Sequence, residues 1–279
     1  MLNSEVVKKI EDFVYNKPRS IQEISEHIEK NWRTADRYIN EIEKEFGTLA
    51  TRVFREGTRG ALKIVYWASI DKVSNSIFQE RLEEEIMSGR KKGDFSALDI
   101  FQHVDDKNKK VEIKVADNDG ISKLDGLTDF LNSTKKQLLI FSGNLSFINF
   151  KDKKNDIFKT LDELAKKGIN MKVVCRVDIA GNKNVERLLS LNFKHGKENV
   201  EVRHSEQPVR AIIVDNKFFN IKEIKEPTGR DYELIKKTTF YYTIKDKEWT
   251  EWLSRIFWKM FSSSIDANKR IQELQKFKL

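Results

Sequence analysis

Residues 20–40 read SIQEISEHIEKNWRTADRYIN, and this stretch decides the N-terminal fold. Ser20 and Glu23 have the spacing of a capping box, in which each side chain accepts a hydrogen bond from the other residue's backbone N–H. The apolar residues that follow recur at helical intervals up to Ile28, and again after a break at Asn31-Trp32. Two short helices around such a tight turn predict a helix-turn-helix.

The flanking residues extend this motif into a larger unit. A helix that starts at Ser4 precedes it, and the third helix runs from about Arg33 to Phe46, whose ring we place on the buried face. Two alternating stretches, Leu49 to Phe54 and Ala61 to Trp67, flank a glycine-bounded turn and predict a β-hairpin. Such a hairpin behind a helix-turn-helix is typical of a wing, so residues 1–70 are predicted to form a winged helix-turn-helix.

Basic and hydrogen-bonding side chains gather on the two surfaces of this unit that would face a duplex. Arginine grips phosphate or reads guanine, asparagine suits adenine, and threonine serves in either role. The candidate DNA contacts are Trp32, Arg33, Thr34, Arg37 and Asn40 at the third helix, and Arg52, Arg55, Arg59 and Lys63 on the hairpin. Winged helices also bind proteins, and that alternative stays open.

Composition limits the class of protein. The chain has 279 residues, enough for two domains, and its 52 basic residues against 44 acidic ones give a net charge of +8. This balance favours anionic partners such as nucleic acid. Cys175 is the sole cysteine, which excludes a disulfide framework and a thiolate zinc site. Without a signal peptide, a membrane-spanning run or a nucleotide-binding fingerprint, we expect a cytoplasmic protein that has no membrane contact, cofactor or metal.

A connecting segment, residues 71–94, follows the N-terminal unit. Ile70 to Ser88 is predicted to be one helix with Val73, Ile77, Leu82 and Ile86 on a narrow apolar stripe. The near-heptad spacing of this stripe suits pairing with a two-fold mate. Packing on the helix's own domain explains the stripe equally well.

Residues 95–279 are predicted to be an α/β domain with a mixed sheet that helices cover, because apolar strands alternate with amphipathic helices. The predicted strands are Val111–Val115, Gln137–Phe141, Met171–Val177, Val200–His204, Val209–Val214, Lys217–Ile221 and Phe240–Ile244. The predicted helices are Lys123–Leu131, Asn155–Lys167, Val185–Phe193 and a long final one from Lys247 to about Gln275.

Several short stretches carry a family resemblance. They are Leu138-Leu-Ile-Phe-Ser-Gly143, Leu164-Ala-Lys-Lys-Gly168, Trp252-Leu-Ser-Arg-Ile-Phe-Trp258 and, above all, Val209-Arg-Ala-Ile-Ile-Val-Asp215. With the order of winged helix, connecting helix and phospholipase-D-like α/β unit, the chain resembles the archaeal TrmB-like transcriptional regulators. The resemblance implies a DNA-binding regulator. We do not expect the further sugar-binding domain of TrmB proper, so sugar sensing is not carried over.

Active phospholipase-D-type enzymes use a His-x-Lys-x4-Asp motif, in which the histidine attacks phosphorus and the lysine holds phosphate oxygens. Aligning Asp215 with the acid of this motif places Arg210 at the lysine and Pro208 at the histidine. Because proline has no nucleophile, the resemblance implies a domain that does not catalyse, although Arg210 can still clamp an anion. Members with a single motif obtain the second from a two-fold partner, so the resemblance also implies a homodimer.

Polar residues near the ends of predicted strands make up a candidate ligand site, because open α/β sheets bind ligands beyond the carboxyl ends of their strands. They are Ser142, Asn144, Arg176, His204, Arg210 and Asp215. Ser142-Gly143-Asn144 either offers amides to an anion or forms an ordinary turn, and His204 either points into the cleft or lies on the surface. The set predicts an anionic small-molecule effector.

The sequence therefore predicts a homodimeric, sequence-specific transcriptional regulator that binds double-stranded DNA and is not an enzyme. Two alternatives from other classes stay open. One is a phospholipase-D-type phosphodiesterase or nuclease, and the other is a winged-helix adaptor of the transcription machinery.

Overall fold

The structure, a computed structural model, describes residues 4–15, 17–46, 48–55, 61–67, 75–115, 126–152, 156–227 and 236–276. These residues fall into two compact units. The smaller unit is built mainly from residues 4–80, and the larger one from residues 81–114, 126–223 and 240–276.

Three helices and three strands make up most of the described part of the smaller unit: α1 (Ser4–Tyr15), β1 (Arg19–Ser20), α2 (Ile21–His27), α3 (Trp32–Glu45), β2 (Leu49–Arg55) and β3 (Ala61–Trp67). The strands form an antiparallel sheet in the order β1-β3-β2. Ile10, Ile24 and Ile39 from the three helices pack with Leu49 and Val65 of the sheet in one apolar core. Burial of these side chains stabilises the unit by roughly 1.5–3 kcal/mol each.

Side-chain caps define where α2 and α3 begin. The predicted capping box is confirmed, since the Ser20 N–H donates to Glu23 Oε2 at 2.7 Å and the Glu23 N–H donates to Ser20 Oγ at 3.2 Å. The Asn31 side chain accepts from the Thr34 N–H at 2.9 Å, so α3 starts at Trp32, one residue before the predicted start. The expectation that Phe46 is buried was wrong, because its ring is 49% exposed just beyond α3.

Helix α4 (Asn75–Ser88) follows, and the start of the predicted connecting helix, including Val73, lies outside the described residues. Ile77 is 61% exposed, whereas Leu82 and Ile86 are fully buried. Leu82 and Ile86 belong to the larger unit. The second half of the predicted apolar stripe is therefore buried in that unit, whereas Ile77 in the first half is exposed.

In the larger unit α4 is followed by α5 (Ala97–His103), which the sequence pattern did not predict. Its elements after α5 are β4 (Lys109–Val115), α6 (Leu127–Asn132), β5 (Gln137–Phe141), α7 (Ile157–Lys166), β6 (Asn170–Cys175), α8 (Asn182–His195), β7 (Val200–His204), β8 (Ala211–Val214), β9 (Phe218–Lys225), β10 (Thr238–Ile244), α9 (Lys247–Ser263), β11 (Ile265–Asp266) and α10 (Ala267–Lys276). Each predicted strand is present, Gln137–Phe141 and Val200–His204 with the predicted bounds and the others with shifted ends, and the predicted mixed α/β fold is confirmed.

The eight strands form one mixed sheet in the order β11-β7-β6-β5-β8-β9-β10-β4. Strands β5, β6 and β7 are parallel, and β8 runs antiparallel to β5. Side chains such as Ile140 and Val173 on one face pack against Leu161 and Leu164 of α7 and Leu188 of α8. On the other face Phe141 meets Phe257 of α9 edge-on, with ring centroids 5.1 Å apart. Helices therefore cover both faces of the central strands.

The prediction of one long final helix was wrong, because the chain breaks after α9. Ile265 and Asp266 pair with β7 as the short strand β11. The carboxylate of Asp266 then accepts the N–H groups of Asn268 at 2.9 Å and Lys269 at 3.3 Å, which starts α10 as a separate helix. The strand pairing and the new cap together offset the loss of helical continuity.

The side chain of Asp215, just after β8, forms hydrogen bonds to the neighbouring strand β5. Its carboxylate accepts three backbone N–H groups at the start of β5, from Lys135 at 2.9 Å, Lys136 at 2.8 Å and Gln137 at 2.9 Å. Burial alone would raise the pKa of Asp215, but the hydrogen bonds from Gln137, Lys135 and Lys136 together hold that pKa below its ordinary value.

We expect Asp215→Asn to lower the free energy of unfolding by about 1–2 kcal/mol, because the charge-assisted bonds are weakened. The folded-state pKa is lowered, so this stabilisation is present above pH of about 4 and is lost as the pH falls through that pKa. Urea unfolding at several pH values measures it. Glu163→Gln, the same change of charge at an exposed position on α7, is the control. Equal destabilisation of the Asp215 variant at pH 7 and pH 2 would contradict the assignment.

Candidate functional site

The exposed face of α3 carries the predicted DNA contacts of the smaller unit. Arg33, Arg37 and Asn40 are exposed and lie on one stripe of the helix, whereas Trp32 and Thr34 are half-buried. The guanidinium of Arg37 lies 5.1 Å from the centre of the Tyr38 ring and 3.9 Å from the Glu41 carboxylate. With a side chain 65% exposed, Arg37 remains available to an outside anion.

Lys63 is placed differently from the other predicted contacts. Its ammonium lies 2.7 Å from Asp36 Oδ1 and 2.9 Å from Asn40 Oδ1, so β3 is tied to the outer face of α3. The Asn40 amide nitrogen also lies 3.5 Å from Asp36 Oδ2. Sequence reasoning missed Asp36, although its position four residues before Asn40 puts both on one helix face.

The rest of the predicted hairpin surface is described only in part. The guanidinium of Arg52 lies 5.9 Å from the ring centre of Phe54 on β2. Arg59 and the side chain of Arg55 lie outside the described residues.

The larger unit gathers polar residues at one edge of its sheet. Because β5, β6 and β7 are parallel, their carboxyl ends meet at this edge, where Ser142 and Arg176 follow β5 and β6 and His204 ends β7. Strand β8 is antiparallel to β5, so Arg210, just before β8, lies at the same edge. We call this set of residues the carboxyl-edge cluster.

Arg210 lies against Gly143. A Cβ atom placed on Gly143 would lie 2.9 Å from Nη2 and 3.1 Å from Nε of Arg210, a space that only glycine leaves open. The Nη1 atom donates to the carbonyl oxygens of Gln207 at 3.1 Å and Val209 at 2.8 Å. Nε and Nη2 have no hydrogen-bond partner among the described residues. Burial, and then the charge of nearby Arg176, lowers the pKa of Arg210.

The partly buried Arg210 and the exposed Arg176 repel each other unless an anion compensates. The Nε of Arg176 lies 2.8 Å from the carboxylate of Asp178, which accounts for part of this charge. The hydrogen-bonding edge of Arg210 formed by Nε and Nη2 could accept a phosphate or carboxylate in bidentate geometry.

Ser142 and Asn144 form a local turn. Ser142 Oγ accepts from the Leu145 N–H at 3.2 Å, and Asn144 Oδ1 accepts from the Ser146 N–H at 3.2 Å. The Ser142 carbonyl accepts from the side chain of Gln207 at 2.8 Å. Sequence reasoning missed Gln207, because its partner lies 65 residues away.

The ring of His204 supports the neighbouring strand end. Its Nδ1 accepts from the Val177 N–H at 2.9 Å, so this nitrogen carries no proton. Burial, and then Arg270, lowers the pKa of His204, while Glu206, Asp178 and Glu273 oppose the shift. Burial raises the pKa of the adjacent Cys175 thiol to about 12, which keeps it from acting as a nucleophile at neutral pH.

Asp215 does not join the carboxyl-edge cluster. It follows β8 whereas Arg210 precedes it, so the two are about 16 Å apart at ~3.3 Å per residue. The sequence motif that contains both residues therefore runs along the full length of β8, and its two ends lie on opposite sides of the sheet. Pro208 packs its ring against Gly89, where an added Cβ would lie only 2.8 Å away.

Two negative observations concern the described part of the chain. None of its helices is long and apolar enough to cross a membrane. Within the same residues, no group of three or more His, Cys, Asp or Glu side chains is placed to hold a metal ion.

No protein-family model and no curated protein matches the sequence. Among solved structures, the chain is similar to a phospholipase D family member, Nuc from Salmonella typhimurium, with 16% identity and a TM-score of 0.39 over 57% of this chain and 97% of that one. It is similar to TrmBL2, an archaeal chromatin protein, with 16% identity and a TM-score of 0.38 over 95% and 94% of the two chains. NucT from Helicobacter pylori has 15% identity and a TM-score of 0.38 over 57% and 99%.

These similarities correct one expectation. The prediction that the chain is not an enzyme was wrong as a general exclusion, since the similar structures include a phospholipase D family member and the yeast tyrosyl-DNA phosphodiesterase. Pro208 removes a nucleophile from only one position of an aligned motif. That single substitution was too narrow a basis for the exclusion.

Proposed function

We propose that the chain is a sequence-specific DNA-binding transcriptional regulator whose smaller unit is a winged helix-turn-helix. The observation that carries the proposal is the exposed stripe of Arg33, Arg37 and Asn40 on α3. Side chains of this kind near the start of a recognition helix reach base edges in the major groove. The antiparallel hairpin of β2 and β3 follows α3 directly, which is the chain order of a wing.

The proposed assembly is a homodimer on double-stranded DNA. Two copies related by a two-fold axis would read a palindromic site with half-sites about one duplex turn, ~34 Å, apart. Light scattering of the full chain, with and without such a duplex, tests the stoichiometry.

We further propose that the carboxyl-edge cluster binds an anionic effector. The support is the charge of Arg176 near Arg210, together with the edge of the Arg210 guanidinium against Gly143, which has no hydrogen-bond partner among the described residues. A carboxylate or phosphate there would neutralise the charge of Arg210 and accept hydrogen bonds from its Nε and Nη2.

We expect Arg37→Ala to weaken binding to a selected duplex by about 1–3 kcal/mol and to relax the preference at one base position, because a bidentate arginine contact is lost. Gel shifts on duplexes selected from a random pool measure both effects. Lys183→Ala removes the same charge from an exposed position on α8 and is the matched control. Wild-type binding by the Arg37 variant would remove α3 as the reading helix, and a wild-type protein that binds no duplex would favour the adaptor.

Inorganic phosphate is expected to raise the melting temperature of the wild type by about 3–6 °C at ten times its Kd. Gly143→Ala should reduce this shift, because the new methyl group displaces the Arg210 guanidinium. Gly93→Ala is the matched control, since a Cβ there meets nothing within 4 Å. Differential scanning calorimetry at constant ionic strength decides the question. Equal shifts in all three proteins would assign the effect to general salt stabilisation and not to the cluster.

A further inference from the structure

We propose, on the basis of the DNA-binding function above, that Lys63 is a positioning residue. It holds the amide of Asn40 in the orientation that reads adenine. Lys63 itself does not contact a DNA phosphate. The cluster of Asp36, Asn40 and Lys63 joins the outer face of α3 to β3, and we call it the Lys63 cluster.

The Lys63 ammonium determines which end of the Asn40 amide faces it. An ammonium group can only donate, so the amide atom 2.9 Å away must be the oxygen. The amide nitrogen is then directed to the side of Asp36, whose Oδ2 lies 3.5 Å from it. The amide of an unrestrained asparagine could turn over, but here a turn would set the NH₂ group against the ammonium.

The hydrogen-bonding capacity that remains on Asn40 matches adenine. An amide oxygen has two lone pairs and an amide nitrogen has two N–H bonds. Lys63 occupies one lone pair and Asp36 faces one N–H, so one acceptor and one donor remain on this exposed side chain. In the major groove adenine offers one donor at N6 and one acceptor at N7. The Lys63 cluster therefore presents this pair with its geometry already set.

The neighbouring carboxylate and the low exposure of Lys63 both argue against a contact between its ammonium and a DNA phosphate. Its side chain is 22% exposed and that of Asp36 is 31% exposed, whereas the side chain of Arg37 on the same helix is 65% exposed. The carboxylate 2.7 Å from Nζ largely cancels the field that a phosphate would meet. Asp36 and Asn40 already occupy two of the three N–H donors of the ammonium, which leaves one donor for any phosphate.

The test compares selectivity with salt dependence in the full chain. Wild type is first used to select its preferred duplex from a random pool, and affinities for that duplex and for a random one are measured from 50 to 300 mM KCl. We expect Lys63→Met to reduce the preference for the selected duplex about tenfold, within the range of one bidentate contact. The slope of log K against log salt should not change, because no phosphate contact is lost.

Two further variants and a control give distinct signatures. Asp36→Asn frees the ammonium, so it should steepen the salt slope by about 0.9, the value for one added phosphate contact. Lys63→Arg keeps the charge and the donors and should retain most of the selectivity. Lys44→Met removes one positive charge from an exposed position of α3 outside the Lys63 cluster, and it should leave selectivity unchanged. Thermal unfolding verifies that each variant folds, and if Lys63→Met does not, Asp36→Asn and Lys63→Arg decide.

Other outcomes overturn the inference. If Lys63→Met weakens binding to both duplexes equally and flattens the slope by about 0.9, Lys63 is a phosphate contact. If wild type binds duplex without enriching any sequence, the Lys63 cluster does not read bases, although DNA binding stands. If wild type binds no duplex, the proposed function itself fails.

Discussion

Strand β5 forms backbone hydrogen bonds along both of its edges, parallel to β6 and antiparallel to β8, and the larger unit depends on this pairing. The parallel side brings the carboxyl ends of β5, β6 and β7 to one edge of the sheet. The antiparallel side brings the residue before β8, Arg210, to that same edge and sends Asp215 to the other. One pairing pattern thus decides which members of a short sequence motif can share a site.

Rules that consider only a few neighbouring residues predicted the features that depend on interactions between those neighbours. The capping box of Ser20 and Glu23 and the apolar strand Gln137–Phe141 could be located because each depends on neighbours a few residues away. The break after α9 could not be found in this way, because the apolar periodicity continues while the strand partner of Ile265 lies in β7. Helix α5 was missed for a similar reason. In its first turn the Leu98 N–H donates to the carboxylate of Glu223, which is 125 residues away.

The same distinction applies to the candidate sites. The helical spacing of Arg33, Arg37 and Asn40 predicted one exposed stripe, and the structure places all three side chains on it. Lys63 had the right residue type for a phosphate contact, but its ammonium meets Asp36 across 27 residues of sequence. Asp215 had the right spacing for a ligand site, yet its carboxylate caps the start of β5. In both cases a tertiary partner occupies the group on which the prediction relied.

The total charge of +8 is therefore a poor guide to where an anion binds, and the partners of each cation are a better one. Lys172 lies 2.7 Å from Glu201 and Lys194 lies 2.6 Å from Asp162, so much of the positive charge is neutralised locally. Arg37 keeps its charge in high-dielectric water, where attraction is long-ranged but weak and screened by salt. Arg210 keeps its charge in a partly buried place, where a bound anion gains more from each hydrogen bond but must lose its water. An exposed stripe suits recruitment of a polyanion, and a partly buried guanidinium suits selection of one small anion by shape.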